Sequence, residues 1–372
     1  MKQVVSKQKN IAEELVKSLR RRNSKLQNFG LLGDDAILVD LEVFTTSSIL
    51  LDRMINYGGI PRARITHMYG PERSFKTTVA LLTMLHALRK HPEGFAVFAD
   101  LERNYDAVQS RQHLYYLGFT DEELNRIIYL RDVPEHCFNA IEELIREPNC
   151  LMALVDSIGG MISANAYEKK YEENQKMGQQ PLMISEILKR LNQANNNTAI
   201  VFINQARDVM GGKPGYGGPQ YTFSGGRALK HLMHLSLDMS AYHMKSTKER
   251  EDANDAAKIS VRIDKCKVGG ENSRFSINFD MKTGRFDEAY EVFFLGYQLG
   301  FLYNQGAWYY MHDGEGEVLF KCQGGEAFEA GISAQPEIYQ LLKKKVQESI
   351  EVPKIIDWAE REAEYPEEEE AA

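Results

Sequence analysis

The stretch that decides the fold is Ile65-Thr66-His67-Met68-Tyr69-Gly70-Pro71-Glu72-Arg73-Ser74-Phe75-Lys76-Thr77-Thr78. An apolar, β-rich run is followed by a loop and then by a segment in which Leu81, Met84, Leu85 and Leu88 share one helical face. A helix that starts directly after a strand and a loop presents backbone N–H groups that bind phosphate. The pattern reads G-x-x-x-x-F-K-T, with Phe75 where a phosphate loop usually has glycine. An ordinary strand-to-helix turn is the alternative.

Five further β-rich runs follow, several of them separated by helix-length amphipathic segments: Phe95–Ala99, Leu151–Val155, Ala199–Ile203, Leu235–Met239 and Ile259–Ile263. This alternation predicts an α/β fold, a mostly parallel twisted sheet with helices on both faces. Polar residues end three of the runs, namely Asp100 and Glu102, Asp156, and Asn204 with Gln205. Because α/β sheets bind ligands at the carboxyl ends of their strands, we expect these side chains to lie beside the phosphate loop.

Each of these polar residues suits a step of nucleotide chemistry. In a phosphate loop Lys76 would reach the phosphate oxygens, and the Thr77 hydroxyl would ligate Mg²⁺. Asp156 would hold the same ion from the far side. Glu102 would accept a proton from the attacking water, and the neutral amide of Gln205 would sense the γ-phosphate. The structural alternatives are a helix cap for Asp156 and a loop carboxylate for Glu102.

Composition excludes several classes of protein. The chain has 372 residues, 43% of them hydrophobic and 26% charged, which excludes a disordered chain, collagen and a coiled coil. The four cysteines lack the spacing of a zinc site, and no apolar segment of about 20 residues occurs. We therefore expect no signal peptide, no membrane span and a reduced, cytoplasmic or nucleoid-associated protein.

The charge is uneven along the chain. The net charge is −8, but residues 1–30 carry eight Lys or Arg against two Glu, or +6, and residues 360–372 carry seven Glu against one Arg, or −6. A basic head and an acidic tail permit contact with nucleic acid without proving it. Residues 9–20 have helical apolar spacing, which predicts an amphipathic helix on a polar tether.

The chain divides into four parts on these patterns. We expect an N-terminal helix and tether at 1–33, a core at 34–287, a small α+β C-terminal domain at 288–353 and an acidic tail at 354–372. The N-terminal helix could dock on its own chain or, as an oligomerisation helix, on a neighbouring one. Two long polar segments, 157–184 and 206–227, interrupt the core. Loops of such length are usually functional or disordered.

The order and spacing of these motifs resemble the RecA family of DNA recombinases over most of residues 8–350. The resemblance implies a RecA-type P-loop NTPase core, catalytic roles for Lys76, Glu102 and Gln205, and Mg²⁺ ligation by Thr77 and Asp156. It implies that ATP is bound by Gly70, Pro71, Glu72, Arg73, Ser74, Phe75, Lys76, Thr77, Thr78 and Asp106 and, from the adjacent subunit, by Lys265 and Lys267.

The two long polar segments coincide with the family's DNA-binding loops, at about 168–178 and 206–226. By the same resemblance, contacts with DNA come from Met177, Gly178, Lys189, Arg207, Met210, Gly225, Gly226, Arg227 and Lys230. Cationic groups neutralise phosphates, and the apolar Met210 would hold bases apart. Gly306-Ala307-Trp308-Tyr309 further resembles a segment of the family's small C-terminal domain.

Three residues depart from the family's pattern. Phe75 is shared with the phage recombinase UvsX, which favours a phage-encoded or phage-like member. Gln109 stands where RecA proteins stack an aromatic ring on adenine, with Tyr105 close by. His231 stands where the family often has an aromatic residue at the subunit interface.

The resemblance implies an ATP-dependent strand-exchange protein that forms helical filaments on single-stranded DNA, pairs it with double-stranded DNA and acts in DNA repair and recombination. Single-strand-binding and loading proteins are further expected partners. The N-terminal helix would dock on the neighbouring subunit. The acidic tail would compete with DNA for the basic loops, unless it is a plain solubilising end.

Two other classes stay open. One is a RecA-like DNA-dependent ATPase, such as a motor, helicase or regulatory module, without strand exchange. The other is a catalytically inactive recombination mediator, for which Phe75 is the best argument. The intact Lys76, Thr77, Glu102 and Asp156 oppose the second class.

Overall fold

The structure is a computed structural model that describes residues 42–102, 107–160, 179–208, 221–223, 231–243, 256–267, 272–312 and 317–349, together with residues 12, 14–19, 21 and 22. The chain forms two units, Met1–Glu42 and Val43–Ala372. In the first unit the described residues between 12 and 22 are helical, in agreement with the helix that the sequence predicts at 9–20.

The second unit alternates strands and helices through most of its length. Its first elements are β1 (Val43–Phe44), α1 (Ile49–Met54), β2 (Ile60–Pro61), β3 (Ile65–Gly70), α2 (Lys76–Lys90), β4 (Phe95–Asp100), α3 (Ala107–Tyr116), α4 (Asp121–Leu124), β5 (Ile127–Leu130), α5 (Pro134–Leu144), β6 (Cys150–Asp156), α6 (Gln179–Ala194), β7 (Ala199–Asp208) and β8 (Tyr221–Phe223). There follow β9 (Leu235–His243), β10 (Ala256–Cys266), β11 (Arg274–Asp280), β12 (Arg285–Phe286), α7 (Glu288–Gln298), β13 (Leu302–Gln305), β14 (Trp308–His312), β15 (Val318–Gln323), α8 (Gly325–Ser333) and α9 (Pro336–Glu348).

One large sheet organises this unit, with the strand order β12-β11-β10-β9-β3-β7-β6-β4-β5. The strands from β9 to β5 in this order are parallel, which confirms the predicted α/β fold. The run 259–263 lies in β10, which pairs antiparallel with β9 and extends the sheet at one side. Its residues alternate between buried and partly exposed positions, as expected for a strand with one covered face.

Helices cover both faces of the parallel strands. On one face, α2 packs against β3, β4, β6 and β7. On the other, α5 and α6 share a buried cluster with the strands that contains Val97, Val155, Phe202, Phe138 and Leu188. Strands β3 and β6 are almost entirely buried. Strand β6 is apolar up to Asp156, whereas β3 also carries the buried polar residues Thr66 and His67.

Part of the expected second DNA loop forms paired β-strands. Strand β7 continues to Asp208 and pairs antiparallel with β8, with Ala206 opposite Phe223. The segment predicted as a loop at 206–226 therefore begins as an extension of the central sheet. Residues 209–220 and 224–230 lie outside the described part of the chain.

The last described elements form a smaller α+β layer, as the sequence predicts. Strands β13, β14 and β15 make an antiparallel sheet that α8 covers. Its core is aromatic, with the ring of Phe328 5.7 Å from Tyr309 and 5.6 Å from Phe320 between centroids. The boundary near residue 288 stays a prediction.

Buried carboxyl groups lie on both α1 and α7, and the one on α7 joins the two helices. Glu291 of α7 is fully buried and accepts hydrogen bonds from the Ser48 hydroxyl at 2.6 Å and the Leu50 amide at 3.3 Å. Asp52 of α1 accepts from the Thr46 amide and hydroxyl at 2.9 and 2.7 Å. Burial raises the pKa of each carboxyl group to about 7, against the effect of these hydrogen bonds. Each group is therefore mostly protonated below about pH 7 and ionises near neutral pH.

This joint predicts a pH dependence of stability. Because the folded-state pKa of Glu291 is raised, the folded chain holds a proton between about pH 4.5 and pH 7 that the unfolded chain has lost. The free energy of unfolding should therefore fall as the pH rises through this window. Urea titrations at about pH 5 and pH 7.5 should show that Glu291→Gln removes about 2 kcal/mol of this difference. The exposed Glu337→Gln on α9 is the control and should leave the pH dependence unchanged.

Candidate active site

The phosphate loop is fixed at its first residue by a lack of space. Gly70 ends β3 with φ +153°, and a Cβ placed there would lie 1.8 Å from the carbonyl oxygen of Met239 in the neighbouring β9. Only glycine permits this approach of two backbones. The loop leaves the sheet at this point, and α2 begins six residues beyond Gly70, at Lys76.

Phe75 takes the backbone conformation that glycine usually supplies. Its φ of 64° is left-handed, as is the φ of 58° at Arg73. A left-handed non-glycine residue costs roughly 1–2 kcal/mol. The Phe75 ring packs against Phe279 with 5.1 Å between centroids, and this contact offsets part of the cost. The unusual residue thus leaves the curled form of the loop intact.

Lys76 lies inside the loop. Its Nζ donates to the carbonyl oxygens of Gly70 at 3.1 Å and Pro71 at 2.6 Å, and to Oγ of Ser74 at 2.9 Å. Burial lowers the pKa of this amine to about 8, although Asp156 and Glu102 nearby act in the opposite direction. An incoming phosphate could take the place of these three oxygens and favour the charged amine.

Thr77 and Asp156 form a pair of oxygen donors. The Thr77 hydroxyl donates to Oδ2 of Asp156 at 2.6 Å. Burial, and to a smaller extent the charge of Glu102, raise the pKa of Asp156 to about 6. A cation between the two would favour the carboxylate, and hard oxygen donors are what Mg²⁺ requires. The donor set therefore fits Mg²⁺, which takes its remaining ligands from phosphates and water.

Within the described ranges, no group of three or more His, Cys, Asp or Glu side chains could hold a metal ion.

Glu102 lies one strand away and is held by two donors. The Ser157 hydroxyl donates to Oε1, and the Gln205 amide donates to Oε1 and Oε2 at 3.2 and 3.3 Å. The register of β4 and β6 places Asp100 opposite Asp156, and this brings Glu102 close to Ser157. The structure therefore places Glu102, Asp156 and Gln205 together with the phosphate loop, as the sequence predicts. Asp100 differs from Glu102, because it is buried and accepts a hydrogen bond from Tyr129.

Lys265 and Lys267 lie near the amino-terminal ends of the parallel strands, whereas the phosphate loop lies at their carboxyl ends. Strand β10 runs antiparallel to β9, and Lys265 is opposite Ser236, near the start of β9. Gly70 and Met239 meet further along, roughly 10–15 Å away at the rise of a β-strand. Nζ of Lys265 donates to the carbonyl of His231, at 3.2 Å. Within one chain, the two lysines do not join the phosphate loop.

The remaining predicted residues are spread over exposed and undescribed positions. In the loop, Glu72 and Arg73 are exposed, Ser74 is buried, and Pro71 and Thr78 are half-buried. Lys189 is exposed on α6, Gln109 is exposed on α3, and the backbone of Arg207 belongs to β7. Several predicted residues lie outside the described part of the chain: Tyr105, Asp106, Met177, Gly178, Met210, Gly225, Gly226, Arg227 and Lys230.

Sequence reasoning assigned no role to Ser157 or Phe279. Ser157 directly follows Asp156, and this position at a strand end was the available signal. Phe279 carries no signal, because its contact with Phe75 joins residues that are far apart in the sequence.

A phosphate loop that opens a helix, a Thr–Asp oxygen pair and a glutamate on the neighbouring strand define a P-loop NTPase. The model of the RecA N-terminal domain matches residues 13–284, and the chain belongs to the RecA family. Proteins of this family are DNA-dependent ATPases that carry out strand exchange in homologous recombination, and this chain is a recombinase of that kind. The family uses ATP and Mg²⁺, binds DNA and forms oligomeric filaments.

Several bacterial relatives match over most of their length. The chain is 28% identical to Protein RecA of Thermotoga neapolitana over 351 residues, 92% of this chain and 95% of the relative. It is 30% identical to Protein RecA of Thermus thermophilus over 311 residues, 83% of this chain and 85% of the relative. It is 31% identical to Protein RecA of Oleidesulfovibrio alaskensis over 282 residues, 75% of each chain.

No helix among the described residues is both long enough and apolar enough to cross a membrane.

The conformation of Phe75 predicts an unusual order of stabilities. Phe75→Ala and Phe75→Gly both lose the contact with Phe279, but only alanine keeps the cost of the left-handed backbone. The glycine variant should therefore be more stable than the alanine variant by about 1 kcal/mol in urea titrations. Because glycine holds the curled loop without strain, the glycine variant should also bind a fluorescent ATP analogue more tightly than the alanine variant does. An alanine variant as stable as the glycine variant would contradict the strain at this residue.

Proposed function

We propose that each chain binds Mg·ATP at its own phosphate loop, and that the next chain in a helical filament on single-stranded DNA completes the site with Lys265 and Lys267. The observation that carries this proposal is the position of the functional groups. Lys76, Thr77 and Asp156 lie together at the carboxyl ends of the parallel strands, whereas the two lysines lie toward the opposite edge. A second chain is therefore the simplest source of the two lysine side chains that would complete the nucleotide site.

Binding at the loop uses this chain's own groups. The backbone N–H groups at the start of α2 receive the phosphates, and Lys76 exchanges its carbonyl contacts for phosphate oxygens. Thr77 and Asp156 would hold Mg²⁺, which neutralises phosphate charge when bound. Asp156 gives up its hydrogen bond from Thr77 in this state.

Hydrolysis needs a proton acceptor, and Glu102 is the group we assign. It accepts a proton from the water whose oxygen attacks the γ-phosphorus. The bond from this phosphorus to the bridging oxygen breaks, and ADP and inorganic phosphate are released. Gln205 responds to the γ-phosphate, and it lies on β7, which continues to Asp208 and pairs with β8. A single strand thus leads from the site toward the expected second DNA loop.

The contacts with DNA are part of the proposal. Lys189 on the exposed face of α6 and Arg207 on β7 are the two predicted residues in described elements. Cations on these elements would neutralise DNA phosphates. The predicted loop residues outside the described ranges would complete this surface.

The termini have separate proposed roles. The amphipathic N-terminal helix would dock on the neighbouring chain, and residues 288–353 would form the small C-terminal domain. We further propose single-strand-binding and loading proteins as partners, a cytoplasmic, nucleoid-associated location and a phage-like origin.

The shared site predicts complementation between two inactive variants. Lys76→Ala should lose hydrolysis of its own ATP, and the double variant Lys265→Ala, Lys267→Ala should fail to complete its neighbour's site. An equimolar mixture should recover about one quarter of the wild-type, DNA-stimulated rate, since one interface in four combines an intact loop with intact lysines. Phosphate release with and without single-stranded DNA measures this rate.

The control is Lys344→Ala, an exposed lysine on α9, which should remain fully active. A mixture that stays inactive would contradict the shared site. A fully active Lys76→Ala variant would contradict the phosphate loop itself, and hydrolysis that ignores DNA would contradict the coupling.

The acidic tail predicts a gain of DNA binding on truncation. Removal of residues 360–372 takes away a charge of −6, which should strengthen binding to duplex DNA at low salt severalfold, and less at high salt. Fluorescence anisotropy of a labelled duplex over a salt series measures the effect. Binding that is unchanged at low salt would leave the tail as a solubilising end.

A further inference from the structure

Glu102 is held from two neighbouring strands at once. Ser157 follows the last residue of β6, and its hydroxyl donates to Oε1 of Glu102. Gln205 of β7 donates from its amide to both carboxylate oxygens, at 3.2 and 3.3 Å. Three adjacent strand ends therefore converge on one carboxylate.

The two donors differ in how firmly they are placed. Ser157 is 1% exposed, and its short side chain has a single rotatable bond to its hydroxyl. Gln205 is only half-buried and has a longer side chain with more rotatable bonds. In the proposed function, Gln205 is also the group that turns to the γ-phosphate.

We propose that Ser157 is the positioning residue that holds Glu102 for the attack of water on the γ-phosphate, and that Gln205 shares this contact only in the nucleotide-free chain. The inference rests on the proposed role of Glu102 as proton acceptor. It assigns a task to a hydroxyl that sequence reasoning left without one.

The geometry gives the two oxygens of Glu102 different tasks. Oε1 stays bonded to Ser157, which fixes the plane of the carboxylate. Oε2, which Gln205 contacts in the nucleotide-free chain, accepts the proton from water once Gln205 turns to the γ-phosphate. The O–H bond of water breaks as its oxygen bonds to the γ-phosphorus, and the bridging oxygen leaves on ADP with the electron pair of its broken bond. Misplacement of the acceptor by about 1 Å costs up to a hundredfold in rate, so a fixed carboxylate matters.

The test uses the full chain, single-stranded DNA and the variants Ser157→Ala, Glu102→Gln and the combination of both. Ser157→Ala should lower the DNA-stimulated kcat about tenfold and leave the KM for ATP within about twofold. Binding of a non-hydrolysable ATP analogue, and the filament assembly it supports, should be unchanged, because Lys76, Thr77 and Asp156 are intact. In the Glu102→Gln background, the same substitution should cost no further activity, since the group that it positions is absent.

A matched control removes another buried serine hydroxyl away from the site. Ser236 on β9 is 5% exposed and lies 3.3 Å from Nδ1 of His67. Ser236→Ala should leave kcat and KM within about twofold of the wild-type values.

Three results would overturn the inference: an unchanged kcat for Ser157→Ala, a parallel loss of nucleotide affinity, or an equal cost in the Glu102→Gln background. The failure of the proposed function is distinguishable from these. If Glu102→Gln alone keeps the wild-type rate, Glu102 is not the proton acceptor, and Ser157 has nothing to position.

Discussion

The close approach of β3 to β9 is the constraint on which the site depends. A Cβ at Gly70 would lie 1.8 Å from the carbonyl oxygen of Met239, so the last residue of β3 has room for backbone only. This contact sets where the phosphate loop leaves the sheet, and hence where α2 begins and where Lys76 is buried. The sheet order then brings β7, β6 and β4 alongside in turn, each with a polar residue at its carboxyl end. The chemistry is assembled by strand order, because neighbouring parallel strands end at one edge.

Burial at the carboxyl ends of these strands disfavours the charged forms of Lys76 and Asp156. Desolvation lowers the pKa of Lys76 to about 8 and raises that of Asp156 to about 6, so both groups are shifted toward their neutral forms. Phosphate beside the lysine and a cation beside the aspartate would reverse both shifts. The same sheet separates the two halves of the proposed shared site, because Lys265 and Lys267 lie near the amino-terminal ends of the parallel strands and the phosphate loop lies at their carboxyl ends. In the proposed shared site, this separation within one chain would make assembly a condition for ATP hydrolysis.

Local patterns in the sequence predicted much of this architecture. The six β-rich runs are all strands, because their apolar residues cover one or both faces of the buried sheet. The strand, loop and helix around Lys76 are where the pattern predicts them, and Glu102, Asp156 and Gln205 meet as expected. The antiparallel direction of β10 was not predicted. An apolar run indicates a strand, but the direction of the chain depends on the connection to it.

What the sequence by itself determined is the set of elements, the phosphate loop and the polar strand ends, because each depends on residues close together in the chain. What only the tertiary structure decided are the contacts between distant residues. Phe75 keeps a glycine-like conformation because it packs against Phe279, and Glu102 is held by Ser157 and Gln205. Glu291 meets Ser48 across 243 positions. Such contacts follow from strand order and register, which bring remote side chains within bonding distance and which no local pattern contains.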